Sequence, residues 1–435
     1  MQDLLISLST PEATDAARVG PKAANLAALA RAGLPTPGGM CLTAAAYRAQ
    51  LAHLGLEGTA CEVFSADDAQ ARRSALRMRM QLMEEPVLEE LQDPLIDAWR
   101  EVTRRGALPG VVRSTALVED RHGSSFAGQF ESFLGVDSEA DFLTAVRACW
   151  AALWAPRALR YMATHAVDPA QTAMALLIQP LVAAKAAGGG LSRTAEGEML
   201  INATPGLGSA IAQGEVAPDR YRLDRGGALR ESQAGISYHE ATCVHQARPA
   251  RPRAPGKSCL TPAQVEELGR LLLGAERVMD MPIEIEWALD EAGFKLLQAR
   301  PLHLDDGTNV LPEDPAWLRH PRLRGQPAGV GWGTGRARVV NCECEVSRVA
   351  PGDILVTRAA GPALGRVLAI VAGVVTELGG STSHLASLAR ERCVPMVLGV
   401  AGATHQIPDG AQVAVDGVAG IVRWKRAEGV AGIPS

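Results

Sequence analysis

An apolar run from Ala369 to Thr376 leads into two consecutive glycines, Gly379-Gly380. Ser381-Thr382-Ser383 follow, and then a helix-forming stretch from His384 to about Arg392. This order of residue types leaves little conformational choice. The apolar run predicts a buried strand. Two glycines permit a tight turn that a Cβ would obstruct. Serine and threonine cap the helix that follows. The result is a strand–turn–helix unit of the α/β type, with His384 near the first helical turn. Exposed amides and the helix dipole at that end favour anionic oxygens. A neutral imidazole there can attack a phosphoryl group and carry it as phosphohistidine. A surface histidine at a helix start satisfies the same local pattern, so local chemistry leaves both readings open.

The rest of the chain divides by composition. Its 435 residues suggest two to four domains. Residues 22–32 predict a helix stopped by Gly33, and residues 68–104 and 140–164 predict further helices. Val111-Val112-Arg113 reads as a short strand entering a polar loop, and Ala173 to Val182 as a buried strand. The three glycines within residues 187–190 read as a turn. Glu284 to Leu289 and Phe294 to Ala299 predict a hairpin turned at 290–293. Residues 303–327, with Pro312, Pro315, Pro321 and Pro327, read as a linker. Beyond it, short strands at Ala337–Val340, Asp353–Val356, Pro395–Leu398 and Gln412–Val415 accompany the 369–392 unit.

Composition excludes several functions. The net charge is −5 and aromatics are 4% of residues, so neither a basic nucleic-acid surface nor an aromatic stacking platform is expected. No run of about 18 apolar residues predicts a membrane span, and the amino terminus does not read as a signal peptide. The eight cysteines are scattered, with only Cys342 and Cys344 close together. They are expected to be reduced thiols of a cytoplasmic protein. Only five lysines stand against 38 arginines.

Glu377 to Glu391, containing Gly379-Gly380-Ser381-Thr382-Ser383-His384, followed by Pro395-Met396-Val397-Leu398-Gly399, closely resembles the swivelling phosphohistidine domain of phosphoenolpyruvate-utilising enzymes. These include pyruvate phosphate dikinase, phosphoenolpyruvate synthase and rifampin phosphotransferase. Gly329 to Val340, Gly352 to Thr357, Asp409-Gly410 and Asp416-Gly417 extend the likeness. The resemblance implies that His384 is the phosphoryl carrier. Cys393 stands where many relatives have glycine.

The first 302 residues are similar to the nucleotide half of the same family. Gly20 to Leu26 resembles its N-terminal motif, with Pro21 for the usual second glycine. Val112 to Asp120 resembles its arginine strand, and Gly123 to Leu134 its phosphate-covering loop. Gly206-Leu207-Gly208 with Pro218 to Tyr221, and Ile285-Glu286-Trp287 with Leu297 to Pro301, complete five matches in order. The resemblance implies an ATP-grasp-like nucleotide-binding domain over 1–302, in two subdomains dividing near 185–190. It implies a hinge at 303–327, a small swivelling phosphohistidine α/β domain over 328–427, and a tail at 428–435. The fold expected is thus α/β and α+β.

The residue types suit ATP and Mg²⁺. Lys22 and Arg113 are expected to contact phosphates, the latter as a bidentate fork. Backbone amides of Gly123, Ser124, Ser125, Gly128 and Gln129 are expected to approach phosphate oxygens. Gln179 to Val182 match the strand that meets adenine in relatives. Glu286, with Gln298, is the expected magnesium ligand set, and Arg300 the stabiliser of charge on the transferring phosphates. Arg300 and Glu286 could instead pair across the hairpin, Lys22 could be a plain helix-start lysine, and Glu131 could be a solvated residue or a loop anchor. His122 reads as incidental. One stretch departs from the family pattern: relatives usually carry Ser-Gly-Val-x-Phe-Thr where this chain has Ala187-Gly188-Gly189-Gly190-Leu191-Ser192.

The expected function is an ATP-dependent phosphotransferase passing the β-phosphoryl group through His384 to an acceptor, with release of AMP and phosphate. The acceptor would be a small molecule or sit on a separate subunit, since no acceptor domain fits in the 25-residue linker. A phosphorelay protein that has lost ATP turnover, and an ATP-driven carboxylate ligase, are the alternatives. Twenty-five extended residues reach roughly 80 Å, enough for a pivot.

Overall fold

The computed structural model describes residues 4–65, 67–106, 109–119, 126, 128–130, 132–235, 258–302 and 317–425. The chain forms two compact units, Met1–Lys185 with Leu273–Pro301, and Ala186–Leu272 with Leu302–Ser435. Among the described residues no helix is long and apolar enough to cross a membrane.

The first unit is built on an antiparallel sheet. Its strands run in the order Leu5–Ser7, Met40–Leu42, Met174–Pro180, Gly110–Ala116 and Ser132–Val136. The two longest, Met174–Pro180 and Gly110–Ala116, are buried at nearly every residue; the first reads as a continuous apolar run, whereas the second continues past Arg113 through Ser114, Thr115 and Ala116, beyond the short strand its sequence predicts. Helices Pro21–Arg31, Asp68–Glu84, Glu89–Gly106, Glu139–Ala152 and Pro156–Thr164 belong to the same unit. The scarce aromatics are spent on its interior: Trp150, Trp154 and Trp287 are fully buried, and Trp154 Nε1 donates to the Tyr47 hydroxyl at 2.9 Å. Strands Ile283–Asp290 and Gly293–Pro301 form the predicted hairpin. Its register sets Glu284 opposite Arg300 and Glu286 opposite Gln298. Opposed residues and residues two apart share a face, so these four side chains lie together.

Gly20 fixes where helix Pro21–Arg31 begins. Its φ is 75°, and a Cβ there would lie 2.1 Å from the Thr115 carbonyl oxygen. Only glycine lets the helix start approach the end of the Gly110–Ala116 strand so closely. Pro21 then occupies the first helical position, where its missing N–H costs nothing.

The second unit contains the antiparallel strands Ala186–Leu191, Met199–Pro205, Asp219–Leu223 and Leu229–Gln233. It also contains an eight-stranded mixed sheet. Four of that sheet's strands, Trp332–Val340, Ile354–Thr357, Gly373–Thr376 and Met396–Leu398, run parallel. Val356, Val375, Val397, Val415 and Val422 form its core. Helix His384–Glu391 follows the Gly373–Thr376 strand and buries Leu385 and Leu388. Burying a leucine stabilises by about 1.5–3 kcal/mol, enough to hold so short a helix in place. The fold is mixed α/β.

Three expectations are corrected. Residues 187–190 are not a turn: Ala186–Leu191 is a strand buried at every position, its glycines admitting neighbours too close for a side chain. The linker does not extend to 327. Arg322–Arg324 and Gln326–Pro327 are strands pairing with Ile421–Trp424 and Met396–Leu398, while residues 303–316 lie outside the described residues. The cysteines are not all reduced, because Cys342 and Cys344 are joined by a disulfide. The expected tail at 428–435 also lies outside the described residues.

Candidate active site

In the first unit the arginine strand and the hairpin meet side chain to side chain. Arg113 Nη1 donates to the Leu297 carbonyl at 2.8 Å. Its Nη2 donates to Gln298 Oε1 at 2.6 Å and to Glu286 Oε2 at 3.2 Å. Arg113 and the hairpin are more than 170 positions apart in sequence, so only the fold brings them together. Arg300 Nη2 donates to Glu284 Oε1 at 3.0 Å, both side chains buried, while Glu286 Oε2 accepts from Arg113 Nη2 at 3.2 Å.

Two oxygens from different side chains thus converge on one cationic nitrogen. Mg²⁺ takes oxygen ligands and keeps several waters, so one carboxylate and one amide oxygen suffice. Among the described residues no group of three His, Cys, Asp or Glu side chains is placed to hold a metal. Glu286 and Gln298 each present an oxygen of the kind Mg²⁺ takes, and both of these oxygens accept from Arg113 here.

Lys22 reaches the same strand at Ser114, the residue after Arg113. Its Nζ forms an ion pair with Glu119 and donates to the Ser114 carbonyl at 3.2 Å. Glu119 is fully buried and also accepts from the Ala116 amide at 3.2 Å. Burial pushes the Glu119 carboxyl up, and Lys22 opposes the shift. Removing one partner of a buried pair costs about 3–5 kcal/mol. Lys22→Met is therefore expected to destabilise the fold by that order in denaturant titration. Without its partner, Glu119 prefers to be protonated in the folded state. The deficit should then be small near the unfolded glutamate value of about 4.3 and grow as pH rises above it. A deficit independent of pH would contradict this. The double variant Lys22→Met/Glu119→Leu should recover most of the loss.

The other expected nucleotide contacts are placed unevenly. Gln179 is buried and its Nε2 donates to the Gly38 carbonyl at 2.8 Å. Val182 is half-buried just beyond the end of strand Met174–Pro180. Gly128 has a φ of 68°, and the Gln129 amide closes a turn onto the Phe126 carbonyl at 3.0 Å. Gly123, Ser124 and Ser125, with His122 and Glu131, lie outside the described residues.

In the second unit His384 is the first residue of helix His384–Glu391. Ser383 caps the helix, its side chain accepting from the Ala386 amide at 3.3 Å. The turn before it is held from behind by buried Arg390, whose Nη1 donates to the Ser381 carbonyl at 2.7 Å. The imidazole thus stands half-buried at the carboxyl end of a parallel strand, where ligands meet open α/β sheets.

Glu119, Glu284, Asn202 and Arg390 carry contacts that the sequence reading assigned to no role. Glu284 was legible as the strand neighbour of Glu286 two positions on. Glu119 was visible only as an acid within the Val112–Asp120 stretch. Asn202, buried on strand Met199–Pro205, gave no signal at all.

Residues 16–313 match the family model described as Pyruvate phosphate dikinase, AMP/ATP-binding domain. Residues 349–420 match that of the PEP-utilising enzyme, mobile domain. The chain is 30% identical to phosphoenolpyruvate synthase of Aeropyrum pernix, over 93% of this chain and 56% of that protein. It is 30% identical to a probable phosphoenolpyruvate synthase of Methanothermobacter thermautotrophicus, over 94% and 61% respectively. It is 29% identical to phosphoenolpyruvate synthase of Pseudomonas aeruginosa, over 95% and 57%. The chain spans a little more than half the length of these curated relatives.

Proposed function

Since the chain belongs to the pyruvate phosphate dikinase and phosphoenolpyruvate synthase family, we propose that it is an ATP-dependent phosphotransferase working through phosphohistidine at His384. A ring nitrogen of His384 attacks the β-phosphorus of ATP. The N–P bond forms as the bond from that phosphorus to the α–β bridging oxygen breaks, and AMP leaves with the oxygen. The γ-phosphoryl group passes to water or phosphate. The β-phosphoryl group is then handed to an acceptor, a small molecule or one presented by a separate subunit.

The observation that carries this reading is the convergence of Arg113, Gln298 and Glu286, with the His384 helix start in the same chain. Arg113 would bind phosphate oxygens through its planar fork. Glu286 and Gln298 would hold Mg²⁺, which when bound screens the phosphate charge. Arg300, held by Glu284, would keep a second cation beside them. Lys22 would orient the phosphate loop through Glu119, and Gly128 and Gln129 would belong to that loop. The Gln179–Val182 segment would border adenine.

ATP labelled in turn at its β and γ positions tests this. The expected products are AMP and phosphate when water takes the γ-phosphoryl group, or AMP and pyrophosphate when phosphate takes it, with only the β label on the protein. Label that reaches the protein solely from another phosphoprotein, with no ATP cleavage, would replace this reading with that of a phosphorelay protein.

A further inference from the structure

The glycine-rich strand Ala186–Leu191 departs from the family pattern, and its neighbours show what the departure accommodates. Gly189 has no left-handed backbone that would call for glycine. A Cβ on it would nevertheless lie 2.4 Å from Thr382 Oγ1 and 2.5 Å from Thr382 Cβ. Rotating the threonine cannot relieve the clash, because its own Cβ is among the atoms met. The loop that carries Thr382 would have to withdraw by about 1 Å to restore ordinary van der Waals contact.

Gly189 is the cross-strand partner of Asn202. Asn202 Nδ2 donates to Ser381 Oγ at 2.8 Å, and its Oδ1 accepts from Gln326 Nε2 at 3.4 Å. All of these side chains are buried. One opposed pair thus meets two consecutive residues of the histidine loop, gripping Ser381 and making room for Thr382. The Gly379 amide donates to the Val216 carbonyl at 2.9 Å and extends the same contact.

We propose that the Gly189–Asn202 pair is a seat that positions the histidine loop on the strand pair 186–205, within the nucleotide-binding stretch of the chain. Both are positioning residues: neither touches the reacting atoms, and both act through Ser381 and Thr382 on His384. The proposal rests on the reading that His384 takes its phosphoryl group from ATP. In-line transfer needs reacting atoms about 3–3.5 Å apart, and a displacement of about 1 Å can cost about 10²-fold in rate.

Gly189→Ala should therefore slow β-label transfer from ATP to His384 by about 10²-fold. Equilibrium ATP binding and phosphorylation of His384 by phosphoramidate should stay as in the unmodified protein. The Gly379 amide should exchange faster with deuterium, while the core strand Gly373–Thr376 stays protected. In a Thr382→Gly background, where the clash is gone, the same substitution should add little. If Gly189→Ala does not accumulate as folded protein, Asn202→Ala tests the seat from the other strand with the same expectations. Unchanged labelling and exchange would overturn the proposal, as would an equal loss with phosphoramidate. If the unmodified protein takes no label from ATP, the phosphotransfer reading fails, and the exchange measurement still decides whether the seat exists.

Discussion

His384→Ala is expected to abolish the covalent phosphoprotein. Incubated with β-labelled ATP, the unmodified chain should acquire an adduct that is labile in acid and stable in base, as a phosphorus–nitrogen bond is. The variant should show none. The loss should be complete, because no other group shares the helix-start position that His384 occupies after the Ser383 cap. The fold should survive, since the helix is held by buried Leu385 and Leu388 and by Arg390 behind the turn, not by the half-buried imidazole. An adduct of the same stability in His384→Ala would place the carrier elsewhere.

Glu286→Ala is expected to lower Mg²⁺-dependent ATP cleavage by about 10²–10³-fold, the usual cost of one well-placed charge-stabilising group. Stability should change by no more than about 1 kcal/mol, because the Glu286 side chain is about a third exposed and such pairs contribute little. Arg113 keeps the Leu297 carbonyl and Gln298 as partners in that variant. Cleavage at the unmodified rate would remove Glu286 from the site. A large loss of stability would instead make the Arg113–Glu286 contact a structural pair.

The residues of the candidate site were legible in different degrees, for physical reasons. His384 was legible because the unit that carries it is local: a strand, two glycines, a cap and a helix within about 20 residues. The hairpin was legible because alternation along two adjacent strands puts Glu284, Glu286, Gln298 and Arg300 on one face. The glycine run at 187–190 was misread for an equally definite reason. Glycine marks a turn when the chain bends, but also a strand that another segment approaches closely, and only the approaching segment distinguishes the two. Proline misled in the same way at 321–327, where edge strands accept it because the lost N–H would face no partner.

By itself the sequence determined the local units and the chemistry they carry: the capped helix start at His384, the strand that carries Arg113, and the acidic and amide side chains of one hairpin. Each follows from backbone preferences and periodicity within a short stretch. Tertiary structure alone decided which of these meet. It set Arg113 against Glu286 and Gln298, buried Glu119 under Lys22, and laid Thr382 over Gly189. Contacts between residues more than 90 positions apart depend on strand order, register and the clearance left by a missing Cβ. None of these is written in a local pattern, because each belongs to two segments at once.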